Sequence, residues 1–267
     1  MIRLFVIANL FGLLATGCST SPSGVIPTGS ASSASPSLFA EDEVTQCANQ
    51  VKASQMADPA TLKKPKVDLL YWCSKAAEKG DPKSQYVLAG VYEKGLTGVP
   101  ANAQEALKWY KAAAQGGLAD AQFKVGQLYG RGEGVPIDKN EATKWYLKAA
   151  EKGHTEAQFY MGYRYAHGKG VTQSYTEAVK WFSKAAEKGN PDAMHGLGEL
   201  YLKGTGVPQS RVDAYKWFNL SAVTGNREFV ASRDKLASKL SPAQLTEGQR
   251  LATEWAQKHP AEKSEAP

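Results

Sequence analysis

Residues 118–153 read LADAQFKVGQLYGRGEGVPIDKNEATKWYLKAAEKG, and the spacing in this stretch decides the architecture. In its first half Ala121, Val125, Gly126, Leu128 and Tyr129 fall at helical intervals, so one face of a helix is apolar. Ala121 and Gly126 are tiny, which lets a second helix approach closely. Gly132 and Gly134 then stop the helix, because glycine takes the left-handed conformation at a C-terminal cap without penalty. Asp138 starts the next helix, and Glu141 three residues on predicts a reciprocal capping box. That helix buries Ala142, Trp145, Tyr146, Ala149 and Ala150 along one stripe, and Gly153 ends it. The stretch encodes two antiparallel helices joined by a glycine-rich turn. Such a pair cannot bury its apolar face alone, so it needs neighbours.

The neighbours are present. Residues 81–117, 154–189 and 190–225 repeat the same letters on either side. Trp109, Trp145, Trp181 and Trp217 recur with a period of 36, each followed by an aromatic: Tyr110, Tyr146, Phe182 and Phe218. Upstream stand Tyr92, Tyr129, Tyr165 and Tyr201, then Gly95, Gly132, Gly168 and Gly204. Capping boxes are predicted again at Asn102/Glu105 and Ser174/Glu177, with Ser210/Asp213 a weaker form. A fixed period in this range marks a solenoid.

The pattern Ala121…Gly126…Tyr129…Gly132-x-Gly134-Val135…Ala142…Trp145-Tyr146…Ala149-Ala150…Gly153 resembles the Sel-1-like repeat, a short relative of the tetratricopeptide repeat. Four successive copies cover more than half the chain. The first copy departs slightly, with one extra loop residue in Gly95-Leu96-Thr97-Gly98 and with Ser84 and Ala89 where later copies have Ala and Gly. The resemblance implies an all-α, right-handed α/α superhelical solenoid of tetratricopeptide-like helix pairs that binds other proteins. It implies no single reaction.

The array has atypical ends, as end repeats facing water do. Residues 41–80 form an N-terminal helix and a half repeat. The helix is predicted over 41–58, with Val44, Cys47, Val51 and Met56 inward, and Pro59 and Pro65 bracket a loop. From Val67 to Gly80, Trp72, Ala76, Ala77 and Gly80 match Trp145, Ala149, Ala150 and Gly153. Residues 226–258 form a capping helix pair, one helix holding Phe229, Leu236 and Leu240, the other Leu245, Leu251 and Trp255. Between them Ser241 and Gln244 predict a capping box with Pro242 at the first helical position, and Leu240 and Leu245 a hydrophobic staple. Residues 259–267 are a polar tail.

Residues 1–18 read as a secretory signal: Arg3, then an apolar run from Leu4 to Leu14 too short to span a bilayer. The run ends in Leu14-Ala15-Thr16-Gly17-Cys18, which resembles the lipobox of bacterial lipoproteins and makes Cys18 the acylated first residue of the mature chain. The competing reading is an ordinary cleaved signal. With Ser19 following, the resemblance implies an outer-membrane lipoprotein on the periplasmic face. Residues 19–40, nearly all Ser, Pro, Gly, Thr and Ala, form a flexible tether with a reach of roughly 25 Å. The other two cysteines, Cys47 and Cys73, are an even pair in an oxidising compartment, where a disulfide is expected. Cys73 stands where later repeats carry Tyr146 and Phe182, facing a neighbouring helix. Two buried free thiols are the alternative.

A net charge of +6, or +5 without Arg3, is spread as Lys over helix surfaces and argues against a nucleic-acid binder in a secreted protein. Catalytic patterns are weak. Ser232-Arg233-Asp234-Lys235 matches a Ser-x-x-Lys motif whose partner motifs are absent. His154, His167, His195 and His259 lack a metal-binding spacing, and no cofactor motif occurs, since the Gly-x-Gly pairs lie between helices. A groove is the better candidate. By analogy with tetratricopeptide stacks the first helices line a concave face. Its inward positions are Tyr86, Phe123, Phe159 and His195, then Gln127, Tyr163 and Glu199, then the cationic row Lys94, Arg131, His167 and Lys203. The competing readings are family packing for the aromatics and a solvated surface for the cations.

These features point to a non-enzymatic periplasmic scaffold, lipid-anchored, holding a protein partner such as a cell-envelope enzyme in its groove. One rival is a penicillin-binding or β-lactam-hydrolysing protein like the cysteine-rich branch of the family. That branch carries a Cys pair in each repeat, whereas residues 81–225 contain none. Another rival is a surface-displayed interaction protein.

Overall fold

A computed structural model describes residues 43–49, 66–95 and 99–260. They form α1 (43–49), α2 (Lys66–Glu78), α3 (Pro82–Lys94), α4 (Ala103–Gln115), α5 (Ala119–Arg131) and α6 (Lys139–Glu151). The chain continues through α7 (Thr155–His167), α8 (Tyr175–Glu187), α9 (Pro191–Lys203), α10 (Arg211–Ala222), α11 (Arg227–Ala237) and α12 (Pro242–Lys258). The helices pair as α3 with α4, α5 with α6, α7 with α8 and α9 with α10, and each pair stacks on the next. The result is an all-α solenoid of tetratricopeptide-like helix pairs. The leader, the tether and Cys18 lie outside the described residues, as do most of the helix expected over 41–58 and the loop after it.

Local chemistry sets the helix ends. Gly95, Gly132, Gly168 and Gly204 close the first helices in the left-handed conformation, with φ of 66, 75, 64 and 69°. Asn102, Asp138, Ser174 and Ser210 cap the second helices by accepting backbone N–H groups. The reciprocal half of the expected boxes does not form. Glu105, Glu141 and Glu177 turn instead to Lys108, Lys144 and Lys180 one turn on, the first two at 3.2 and 3.0 Å. In water an i,i+3 ion pair competes with the back-bond to the cap, and here it wins. The box is complete only at α12 among the described helices, between Ser241 and Gln244.

Within a repeat the aromatic after each Trp lies flat on the first helix, where glycine leaves room. A Cβ on Gly126, Gly162 or Gly198 would stand 2.9, 2.5 or 2.6 Å from the rings of Tyr146, Phe182 and Phe218. Between repeats the contacts are partly polar. Gln85, Gln122 and Gln158 are buried and donate to the carbonyls of Ala77, Ala114 and Ala150 at the end of the preceding helix, at 3.0–3.1 Å. The fourth copy replaces this ladder with buried Met194. Arg164 is also buried, where the flanking copies have Leu128 and Leu200. It donates to Thr143 Oγ1 at 2.8 Å and to the carbonyls of Lys169 (2.8 Å) and Lys139 (3.2 Å), over the ring of Tyr146. Burial lowers its pKa from the ordinary value.

Both ends are closed. Cys47 in α1 and Cys73 in α2 are joined by a disulfide, with Cα atoms 4.8 Å apart, and Glu43 meets Lys79 at 2.7 Å. Closing a loop over a separation of 26 residues contributes roughly 3 kcal/mol by the chain-entropy argument. At the far end α11 and α12 both pack on α10. Leu240 and Leu245 meet Tyr215 and Leu236 in one cluster, and Trp255 packs edge-on against Trp217 at 5.5 Å.

Candidate partner-binding groove

The groove face belongs to the first helices α3, α5, α7 and α9. α7 also touches α9 directly, as first helices do on the inner side of a curved stack. The expected aromatic row is half-buried, each member packed on the aromatic of its own second helix. Tyr86 meets Tyr110 at 5.3 Å, Phe123 meets Tyr146 at 5.5 Å, Phe159 meets Phe182 at 5.9 Å and His195 meets Phe218 at 5.0 Å. These side chains pack the repeat and are only partly exposed. Phe123 is further covered by His154, stacked at 4.5 Å, so the row is not uniformly open.

The cationic row is less free than its spacing predicts. Arg131 lies 3.6 Å from Glu133, Lys203 lies 3.1 Å from Glu199, and His167 Nδ1 donates to the carbonyl of Tyr163 at 2.9 Å. Lys94 is exposed and Gln127 half-buried at the other end of the face.

What the row does build is a cavity of about 310 Å³ in the last two repeats. Phe159, Tyr163, His167, His195 and Glu199 converge there, with Phe229 supplied by the capping helix α11. His195 is the hinge of this arrangement. Its ring stacks on Phe229 at 4.8 Å, and its Nε2 hydrogen-bonds Ser232 Oγ at 3.0 Å. Burial pushes its pKa below the ordinary value, against the opposing pull of Glu199, Glu228 and Asp192. The Ser-x-x-Lys serine is therefore engaged with a histidine.

A second cavity, about 420 Å³, adjoins the first through the shared Glu199. Lys203, Arg211, Ser232, Lys235 and Lys239 line it. Arg211, Lys235, Lys239, Asp192 and Glu228 were not among the residues singled out by the repeat register. Three of them lie in α11 or just beyond it, one in the first turn of α10, and Asp192 in the first turn of α9. The place of the three cap residues depends on how the cap folds back, which has no periodic signal.

With this geometry in view, comparison with known families matches the Sel1 repeat at residues 70–81, 82–118, 119–154, 155–190 and 191–222. The chain belongs to the Sel1 repeat family, a family of generally non-catalytic protein–protein interaction scaffolds. The first match covers the later part of α2. Among solved structures, the chain is similar to c5321, a protective antigen present in uropathogenic Escherichia coli strains displaying an SLR fold. The identity is 33%, the TM-score 0.72, and the match covers 81% of this chain and 46% of the other. It is also similar to a Sel1 repeat protein from Oxalobacter formigenes, at 36% identity and a TM-score of 0.58, over 63% of this chain and 49% of that one. The chain thus spans about half the length of these relatives.

Proposed function

We propose that the protein is a non-enzymatic, lipid-anchored scaffold of the periplasm that holds a protein partner, such as a cell-envelope enzyme, in the groove of its last two repeats. The observation that carries this reading is the cavity where Phe159, Tyr163 and His195 from two repeats meet Phe229 from the cap. Aromatic side chains partly desolvated at the centre of a concave surface have the character of interface hot spots. Residues 81–225 contain no Cys, unlike the Cys-paired repeats of the branch assigned hydrolase activity, which speaks for a binding role. The test is a photo-crosslinking residue placed at Tyr163, with a second at Lys180 on the opposite helix as control. A discrete protein adduct from position 163 alone is expected in intact cells. Equal adducts from both positions, or none from 163, would overturn the groove.

A second reading is outward display on the cell surface, favoured by the relative from Escherichia coli being a protective antigen. Antibody labelling of intact, unpermeabilised cells separates the two. Labelling before permeabilisation supports display, and labelling only after it supports the periplasmic face.

A further inference from the structure

We infer that the two adjoining cavities at the C-terminal end of the groove take a peptide segment of mixed charge, its carboxylates in one chamber and an arginine or lysine side chain in the other. This deepens the groove reading and rests on it. The larger chamber is cationic: Lys203, Arg211, Lys235 and Lys239 stand around an apolar floor of Leu202 and Leu236, with Glu199 its one acid. Lys203 is paired with that acid. Among the described residues Arg211, Lys235 and Lys239 have no ion-pair partner, and all three are exposed. Like charges gathered over an apolar floor repel one another, and a bound carboxylate run would relieve this.

The smaller chamber has the opposite chemistry. Its walls are Phe159, Tyr163, Phe182 and Phe229, and its rim carries the exposed acids Asp192, Glu199 and Glu228. Aromatic faces beside carboxylates favour a cation, above all a guanidinium that can stack and pair together. Glu199 lines both chambers, and the hydrogen bond between His195 and Ser232 lies at their boundary, His195 lining one and Ser232 the other. The groove therefore has a fixed electrical direction. A protein segment with an arginine next to a run of Asp and Glu complements it, whereas a uniformly anionic lipid headgroup complements only half.

The test uses the full chain and a fluorescent peptide with one Arg beside an Asp-Glu run, compared with a version whose acids are amides and one whose Arg is Gln. Both replacements are expected to weaken binding about tenfold or more, as is Lys235→Glu with Lys239→Glu, and the affinity should fall steeply with salt. Asp192→Asn with Glu228→Gln should abolish the preference for Arg over Gln while keeping that for acids over amides. An unchanged thermal midpoint shows that these exposed substitutions leave the fold intact. Amide and acid peptides binding equally, or the Lys235/Lys239 reversal having no effect, overturns the inference. So does binding of phosphatidylglycerol vesicles through the same lysines with no binding of the peptide. If crosslinking from Tyr163 persists in all these variants, the groove stands and the charge assignment falls. If that crosslink is absent in the wild type, the groove itself falls.

Discussion

Gly162 and Arg164 sit two residues apart in α7 and mark the opposite demands on that helix. Gly162 admits the ring of Phe182, where a Cβ would lie 2.5 Å from Cδ1. Gly162→Ala forces the ring or the helix to shift, and overpacking of this kind costs about 1–3 kcal/mol, read as a lower midpoint in urea unfolding. Arg164 makes the opposite bargain, a buried charge held by one hydroxyl and two carbonyls. Arg164→Ala leaves those acceptors short and should destabilise by about 2 kcal/mol. Arg164→Leu combined with Thr143→Leu rebuilds the apolar contact of the flanking copies, where Leu128 and Leu200 stand. The double variant should be more stable than Arg164→Ala, because the leucines refill the space and remove the Thr143 acceptor, while the carbonyl of Lys169 still lacks the arginine donor. His195 adds a pH dependence. Its folded pKa is lowered by burial, so the unfolded chain binds the proton more readily. Its contribution is neutral above the unfolded value near pH 6.5 and becomes a loss of stability as pH falls below it. The facing groups are Asp192, Glu199 and Lys203 from α9 and Glu228 and Ser232 from α11. His195→Gln should flatten the slope of unfolding midpoint against pH just below about 6.5.

At the scale of the element, the helices were legible wherever one residue dictates one local conformation. The left-handed glycines at 95, 132, 168 and 204, the capping Asn102, Asp138 and Ser174, and the Trp–aromatic stripe all act within a turn or two of themselves. The departures came from competition that was also written locally. Glu105, Glu141 and Glu177 each precede a Lys by three residues, and that pairing displaced the back-bond to the cap. Other features were silent because they depend on partners far along the chain. Gln122 on an apolar face reads as a surface residue until the carbonyl of Ala114 is seen above it. The expected groove positions followed from the repeat register, but several of the charges that give its end a direction, Arg211, Glu228, Lys235 and Lys239, sit at the start of α10 and in or just beyond α11. The angle at which the cap turns back is set by Leu236, Leu240 and Leu245 packing on Tyr215, a contact with no periodicity to announce it.

For the molecule as a whole, each pair touches only its neighbours, and stability is close to a sum of repeat and interface contributions. A stack of this kind presents one continuous face, and a lipid anchor at the end of the expected tether would keep that face within reach of a membrane. Acylation of Cys18 is the expected anchor, proposed from the sequence Leu14–Cys18. Metabolic labelling with a fatty-acid analogue should mark the wild type and not Cys18→Ser. Label retained by the variant would remove the anchor and with it the lipoprotein reading.

The bridge between Cys47 and Cys73 has a mechanical consequence. When the two ends of the chain are drawn apart, tension entering at Cys47 crosses the sulfurs to Cys73 and bypasses the 26-residue separation between them. The first element to carry load is then the end of α2 and its contact with α3, and the hidden length stays slack however hard the chain is pulled. In a single-molecule stretching experiment, the fully extended oxidised chain should be shorter than the reduced one by roughly 90 Å, the contour of that enclosed segment. Equal extended lengths with and without reductant would mean that the bridge is not closed. A closed bridge makes this end of the solenoid a strain-bearing coupling, so a pull between the ends reaches the repeats without first unravelling the segment that joins them to the rest of the chain.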